Sequence, residues 1–304
     1  LLVMLKGAFI YPGSLGYTLY YTTNFIFTGL AVATAFHAKL FNIGGEGQAY
    51  IGSLGILFAT ALFAQYLPSL LVIILCICCS ALFGAAWAII PGYLQAKRGS
   101  HIVITTIMFN FLASSLMVWL LSGMLMEKGQ QSPQSNLLPE NIRLPKVQNA
   151  FEVLGINISS SPMNLSFIVA LIALLLFWIL IWKTRLGYEI RAVGKNQDAA
   201  NYAGINVSRI IVITMTISGA FAGLLAVNEV MGVQNRVILN YTAGYGFTGI
   251  AVALMGRNHP IGIFFASLLF GVLFQGGTEL DFEFQSITRD MVLLIQGLII
   301  LFSG

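Results

Sequence analysis

A carboxylate and two carboxamides stand among glycines in the stretch FNIGGEGQAYIGSLG, Phe41 to Gly55, within some of the most apolar sequence of the chain. An unpartnered buried charge is costly in a protein interior and in lipid alike, so Glu46 needs a reason to be there. Two roles fit. The glycines permit a helix interruption or the close approach of another helix, and Glu46 then accepts hydrogen bonds from freed backbone N–H groups at the start of the following half-helix, where the helix dipole favours negative charge. Alternatively, Asn42, Glu46 and Gln48 line or gate a polar path. The two roles are compatible, because a gate must also be folded.

Three further residues are candidates for the same path. Thr106 and Asn110 lie one helical turn apart on one face of a predicted span, and Phe247 lies in a second glycine-rich stretch, where its ring can stack on a base or a sugar. Each also fits a role as packing between helices. His37, His101 and His259 are far apart in sequence and near span ends, which predicts interfacial positions and no metal site. No Ser/His/Asp set, HExxH, Walker motif or dinucleotide fingerprint is present, so any energy source must be on another chain.

The elements that hold these residues follow from composition. Of 304 residues 58% are hydrophobic and only 9% charged, and the mean hydropathy of +0.86 identifies an integral membrane protein. Apolar runs of about 20 residues, the length of a spanning helix, recur without a soluble block between them, so a single membrane domain covers 1–304. Spans are predicted at 22–41, 48–66, 68–95, 101–123, 164–182, 208–231, 241–256, 260–277 and 288–303, all helical because only helices or closed barrels satisfy their own backbone in lipid. Cys76, Cys78 and Cys79 fall inside one apolar run and read as packing residues. The chain starts at Leu1 without a signal-peptide pattern.

Charge sets the orientation. Lys183, Arg185, Arg191, Lys195 and Arg209 crowd one connection, and Lys97 with Arg98 marks another, which places both in the cytoplasm. The polar stretch 124–163 between them is then outside, and the C-terminus is inside. On this count two segments echo each other in opposite directions: GQAYIGSLGILFATAL, Pro68 and ALFGAAW, against GYGFTGIAVALMG, Pro260 and LLFGVLF. That is the pattern of an inverted-topology repeat with glycine-rich broken or half helices.

One polar segment is too patterned for a tether. In TRLGYEIRAVGKNQDAANYAGINVSR, Asn196 or Gln197 starts a short helix, Asp198 falls in its first turn, Ala199, Ala200 and Ala203 give it a bare face, and Gly204 stops it. So short a helix is unstable alone and is expected to pack against something else.

Four motifs, LFNIGGEGQ, RGSHIVITTIMFN, IRAVGKNQDAANYAGINV and GYGFTGIAVALMGRNHPIGI, resemble in their order the bacterial ABC importer permeases of the ribose and general nucleoside branch. The resemblance spans nearly the whole chain. It implies that Gly194, Asn196, Asp198, Ala199, Ala200, Ala203, Gly204 and Ile205, within the cytoplasmic coupling segment 184–208, dock into a cytoplasmic ATPase. It further implies a tandem ATPase carrying ATP and Mg²⁺, with no cofactor on this chain, and a second permease subunit as a related heterodimer or a homodimer. A substrate-binding protein or lipoprotein outside completes the set, in the bacterial inner (cytoplasmic) membrane and without nucleic acid. Members usually carry further hydrophobic sequence ahead of the segment aligned to Leu1, so missing leading residues are expected. The long outer segment resembles the nucleoside branch, so Asn42, Glu46 and Gln48 are expected to meet ribose hydroxyls; ribose-like sugars are the alternative cargo. An ion-coupled secondary transporter needs an embedded acid pair or proton relay, for which only Glu46 qualifies cleanly, and a membrane enzyme lacks paired catalytic groups.

Overall fold

A computed structural model describes residues 2–153 and 159–283, with Met291, Leu294, Gly297 and Leu298. Twelve α-helices are named here: α1 (Leu2–Phe9), α2 (Ser14–Phe36), α3 (Gly45–Phe63), α4 (Ser69–Arg98), α5 (Ile102–Ser122), α6 (Val147–Val153), α7 (Ser166–Trp178), α8 (Arg185–Lys195), α9 (Gln197–Tyr202), α10 (Val207–Gly223), α11 (Tyr245–Met255) and α12 (Pro260–Glu283). π-helical turns at Ile179–Lys183 and Val227–Gln234 extend α7 and α10. Among the described residues the only β-pairings are two isolated bridges, Gln134 with Ile238 and Lys146 with Asn164.

Among the described residues five helices are long and apolar enough to cross a membrane: α4, α5, α7 and α10 with their extensions, and α12. The apolar α11 has 11 residues and is too short to do so. The last predicted span, 288–303, lies outside the described residues apart from four isolated positions.

α2 is the centre of the bundle, with α7, α10, α11 and α12 packed around it. It begins eight residues before the predicted 22 and ends at Phe36, so residues 37–44 form the break before α3. Its polar residues lie on all sides, and almost its whole length is buried. Such a helix must satisfy its side chains internally. Thr22 and Thr34 do so by donating to the carbonyls of Thr18 and Leu30, both at 2.7 Å.

Small residues bring α4 and α10 together. A Cβ on Gly84 would stand 2.9 Å from Gly223 Cα, and Ser80 Oγ donates to the Gly223 carbonyl at 2.7 Å. This is close packing of the small-residue kind, which membrane helices use because lipid gives them no hydrophobic drive to associate.

The described residues of the stretch 124–163 are mostly irregular but anchored. Ser135, Leu138 and Leu144 donate their backbone N–H groups to the carbonyls of Val237, Asn235 and Met231 at 2.8–2.9 Å, and Glu127 pairs with Arg236 at 2.9 Å. The chain leaving α10 is therefore bound along its length to this segment.

Candidate functional site

The two glycine-rich helices α3 and α11 meet start to start. A Cβ on Gly45 would lie 3.6 Å from Gly246 Cα, and one on Gly246 would lie 2.8 Å from Glu46 Cα, so a side chain at 246 would drive the two helices apart. From this junction α3 runs to a hollow that Thr60 and Ala61 share with Ser135 and Leu138. In contrast, α11 runs to Asn258, whose carbonyl meets His37 Nε2 at 3.1 Å.

A helix start leaves its first N–H groups without partners inside the helix. Here Glu46 supplies them. Its Oε1 accepts from Gly244 N at 2.8 Å and its Oε2 from Gly246 N at 2.7 Å, with the Thr242 side chain as a further partner. The sequence predicts a cap on the helix that follows Glu46 in the chain, but the carboxylate caps α11, about two hundred residues away. The reason is geometric: side chains in a first turn point back toward the N-terminus, and α11 begins where that of Glu46 points.

The break before α3 is stitched on both sides. Asn42 accepts from Gly44 N at 2.8 Å and exchanges hydrogen bonds with Gln48 at 2.9 and 3.1 Å; it also donates to Ser218 Oγ of α10 at 2.8 Å. From α5, Asn110 accepts from Gly47 N at 2.8 Å and donates to the Ile43 carbonyl at 2.9 Å, while Thr106 accepts from Ile43 N at 3.3 Å.

Beside the junction is a cavity of about 250 Å³. Glu46, Tyr50, Asn110, Ser114, Thr242 and Phe247 contribute to its wall. Asn42, Gln48 and Thr106 are buried behind that wall and absent from it. Phe247 is 49% exposed. Tyr50 Oη accepts from Asn240 N, and Tyr241 Oη donates to the Ala49 carbonyl at 2.6 Å, which ties the approach to α11 against α3. The wall offers two aromatic rings, hydroxyls and an amide, which suits a small polar molecule with a flat ring.

A second embedded acid corrects the expectation that Glu46 stands alone. Glu229, in the π-helical turn after α10, is 1% exposed and accepts from Tyr20 Oη at 2.5 Å and Asn24 Nδ2 at 2.6 Å. Its neighbour Asn228 donates to Asn24 Oδ1 at 2.8 Å and accepts from Asn164 and Ser166. The Asn-Glu pair inside an apolar run was the available signal. Among the described residues no ion pair involves either Glu46 or Glu229.

At the opposite end, Asn196 caps α9 by accepting from Ala199 N at 3.0 Å, and Gly204 ends it in the left-handed conformation at φ 81°. Asp198, Ala199 and Ala203 are exposed, Ile205 is half-buried, and Tyr202 is 94% exposed. Ala200 instead turns inward and is 3% exposed, so the predicted alanine face is divided between solvent and the chain's own core. α8, which precedes it, was not predicted; its Gly194 packs on the backbone of His37 and Ala38, and Lys39 donates to the Lys195 carbonyl at 3.4 Å.

Residues 14–304 match the family described as branched-chain amino acid transport system / permease component. Among curated relatives, the nucleoside ABC transporter permease protein NupB of Lactococcus lactis is 37% identical, over 95% of this chain and 78% of its own length. The guanosine ABC transporter permease protein NupP of Bacillus subtilis is 35% identical over 94% and 80%. The glucose ABC transporter permease protein TsgB13 of Haloferax volcanii is 34% identical over 91% and 72%. No solved structure gives a significant match.

Proposed function

The chain belongs to the family of branched-chain amino acid transport system / permease components, and from that premise we propose that it forms the translocation path for nucleosides in an ABC importer. The observation that carries the reading is the cavity at the α3–α11 junction, where Phe247 and Tyr50 supply aromatic surface beside the polar groups of Asn110, Ser114 and Thr242. Such a wall suits a base by its rings and a ribose by its hydrogen bonds. Glu46 has both oxygens engaged by backbone N–H groups, so its role in the path is to hold the wall. Asn42, Gln48 and Thr106 hold the break behind it, and Asn110 holds the break from the wall itself.

The partners in this reading are a tandem cytoplasmic ATPase with ATP and Mg²⁺, a second permease subunit, and a substrate-binding protein outside, a set that family membership supports. The exposed face of α9, with Asp198, Ala199, Ala203 and Tyr202, is the ATPase contact. Motion there reaches the cavity through a short route: α8 rests on His37 to Lys39, and the next few residues lead to Glu46. In this scheme α3–α4 and α11–α12 form an inverted repeat, α11 crosses together with the irregular residues that lead into it and so completes nine segments across the cytoplasmic membrane, 124–163 lies outside, and the C-terminus lies inside.

A sugar cargo is the second reading, favoured by the 34% identity to a glucose permease. Uptake by the reconstituted complex tests both. The account expects labelled guanosine to accumulate with ATP alone, without an ion gradient, and excess glucose not to compete. Competition by glucose moves the assignment to sugars, and uptake driven by an ion gradient without ATP refutes the importer reading. Single cysteines at Gln134 and Gln197 check orientation: an impermeant thiol reagent should reach the first from outside and the second only after the membrane is opened.

A further inference from the structure

Glu229 lies outside the cavity, yet it is connected to the cavity wall. Its carboxylate accepts from Tyr20 Oη, and the Tyr245 side chain lies within reach of that same Tyr20 hydroxyl, to which it can donate. Tyr245 is the first residue of α11, between Gly244 and Gly246, the two residues whose N–H groups Glu46 holds. The first turn of α11 is therefore gripped twice: through its backbone by Glu46 of α3, and through a side chain by Glu229 via Tyr20 of α2.

The end of the segment between Glu229 and this turn, residues 240–244 beyond the part tied to 124–163, has reason to move. It carries left-handed backbone at Asn240, Ala243 and Gly244, and alanine has no local stabilisation for that conformation. Its final residues, with Asn240, Thr242 and Ala243, are cavity wall. Glu229 itself sits in a π-helical turn, a distortion frequent at functional sites.

We propose that Glu229 is a positioning residue for transport: through Tyr20 and Tyr245 it holds the start of α11 in place, and release of this link opens the cavity wall formed by residues 240–247. The proposal rests on the reading of the cavity as the transport path, and goes beyond it by assigning control of access to a buried acid that does not touch the cavity.

The test uses the assembled complex in lipid nanodiscs, with Cys76, Cys78 and Cys79 replaced by serine and Ser114→Cys as the reporter on the cavity wall. The rate of reaction with a hydrophilic thiol reagent reads access to the cavity. Tyr20→Phe and Tyr245→Phe each remove a hydroxyl and keep the ring, so both should fold; each should raise the rate roughly fivefold, the shift expected when one buried hydrogen bond is lost from a closed state. Because the two act through one link, the double variant should be no faster than either alone. Glu229→Gln keeps an acceptor for Tyr20 and should stay near the parent rate, whereas Glu229→Ala should match Tyr20→Phe. Unchanged rates in folded Tyr20→Phe and Tyr245→Phe, or effects that add, overturn the proposal alone. A Ser114→Cys reporter that reacts in no background overturns it together with the transport-path reading.

Discussion

Two glycine-rich contacts in this bundle look alike in sequence and differ in what they hold. Where α4 crosses α10, Gly84, Gly219 and Gly223 let two backbones touch, and the neighbouring polar contact is a serine hydroxyl on a carbonyl. Where α3 meets α11, Gly45 and Gly246 bring two helix starts together, and a carboxylate satisfies the N–H groups of one of them beside a cavity. The first contact is closed and serves cohesion. In the second, two positive helix ends and one acid leave polar atoms facing a hollow. Glycine spacing alone therefore marks close approach. Glycine together with a helix start and an acid marks a candidate site.

The largest effect should come from breaking the cohesive contact. Gly219→Val pushes methyl groups into the backbone of Gly84, and overpacking of this kind costs roughly 1–3 kcal/mol or more. The expected outcome is loss of folded, assembled complex by size-exclusion chromatography. Normal assembly would show that the α4–α10 contact has slack.

Next in size is a change that spares the bundle and blocks coupling. Ala203→Glu puts a carboxylate on the exposed face of α9 and should leave assembly of the permease intact while abolishing substrate-stimulated ATP hydrolysis. The same change at Ala200, which is buried, should destabilise the segment, so the pair separates docking from folding.

Phe247→Ala sharpens the site itself. The ring is half exposed and lines the cavity, and a lost stacking partner is worth about 1–3 kcal/mol. The KM for nucleoside uptake should rise about tenfold, with melting temperature little changed. An unaltered KM would remove Phe247 from the path.

What the sequence discloses divides along the same line. The long apolar helices α4, α5, α7, α10 and α12 were legible because lipid imposes length and hydropathy on each segment separately, and the start and stop of α9 were legible because Asn196 and Gly204 act within one turn. Helix α8 was missed although Leu186, Ile190 and Val193 recur at helical spacing; its basic residues drew it toward a loop. The partner of Glu46 was not legible, since nothing local states that a first-turn carboxylate will meet a helix start about two hundred residues on. Glu229 was hidden for a related reason: inside a long apolar run the average hydropathy outweighs one acid, and its partners Tyr20 and Asn24 lie on α2. Burial pairs residues across the fold, and a window along the chain does not see the pairing.

The claim that Glu46 builds the transport site by holding α11 is tested most directly by Glu46→Gln, with melting temperature, basal ATP hydrolysis and uptake measured on the same preparation. Glutamine keeps one acceptor oxygen and turns an amide N–H toward a backbone N–H, so one of the two bonds is lost, at roughly 1.5–3 kcal/mol for a hydrogen bond to a charged group. The account predicts a lowered melting temperature with retained basal hydrolysis and a moderate loss of uptake. A variant that melts like the parent and hydrolyses ATP normally but no longer transports would contradict it, because Glu46 would then act on the cargo and not on the fold.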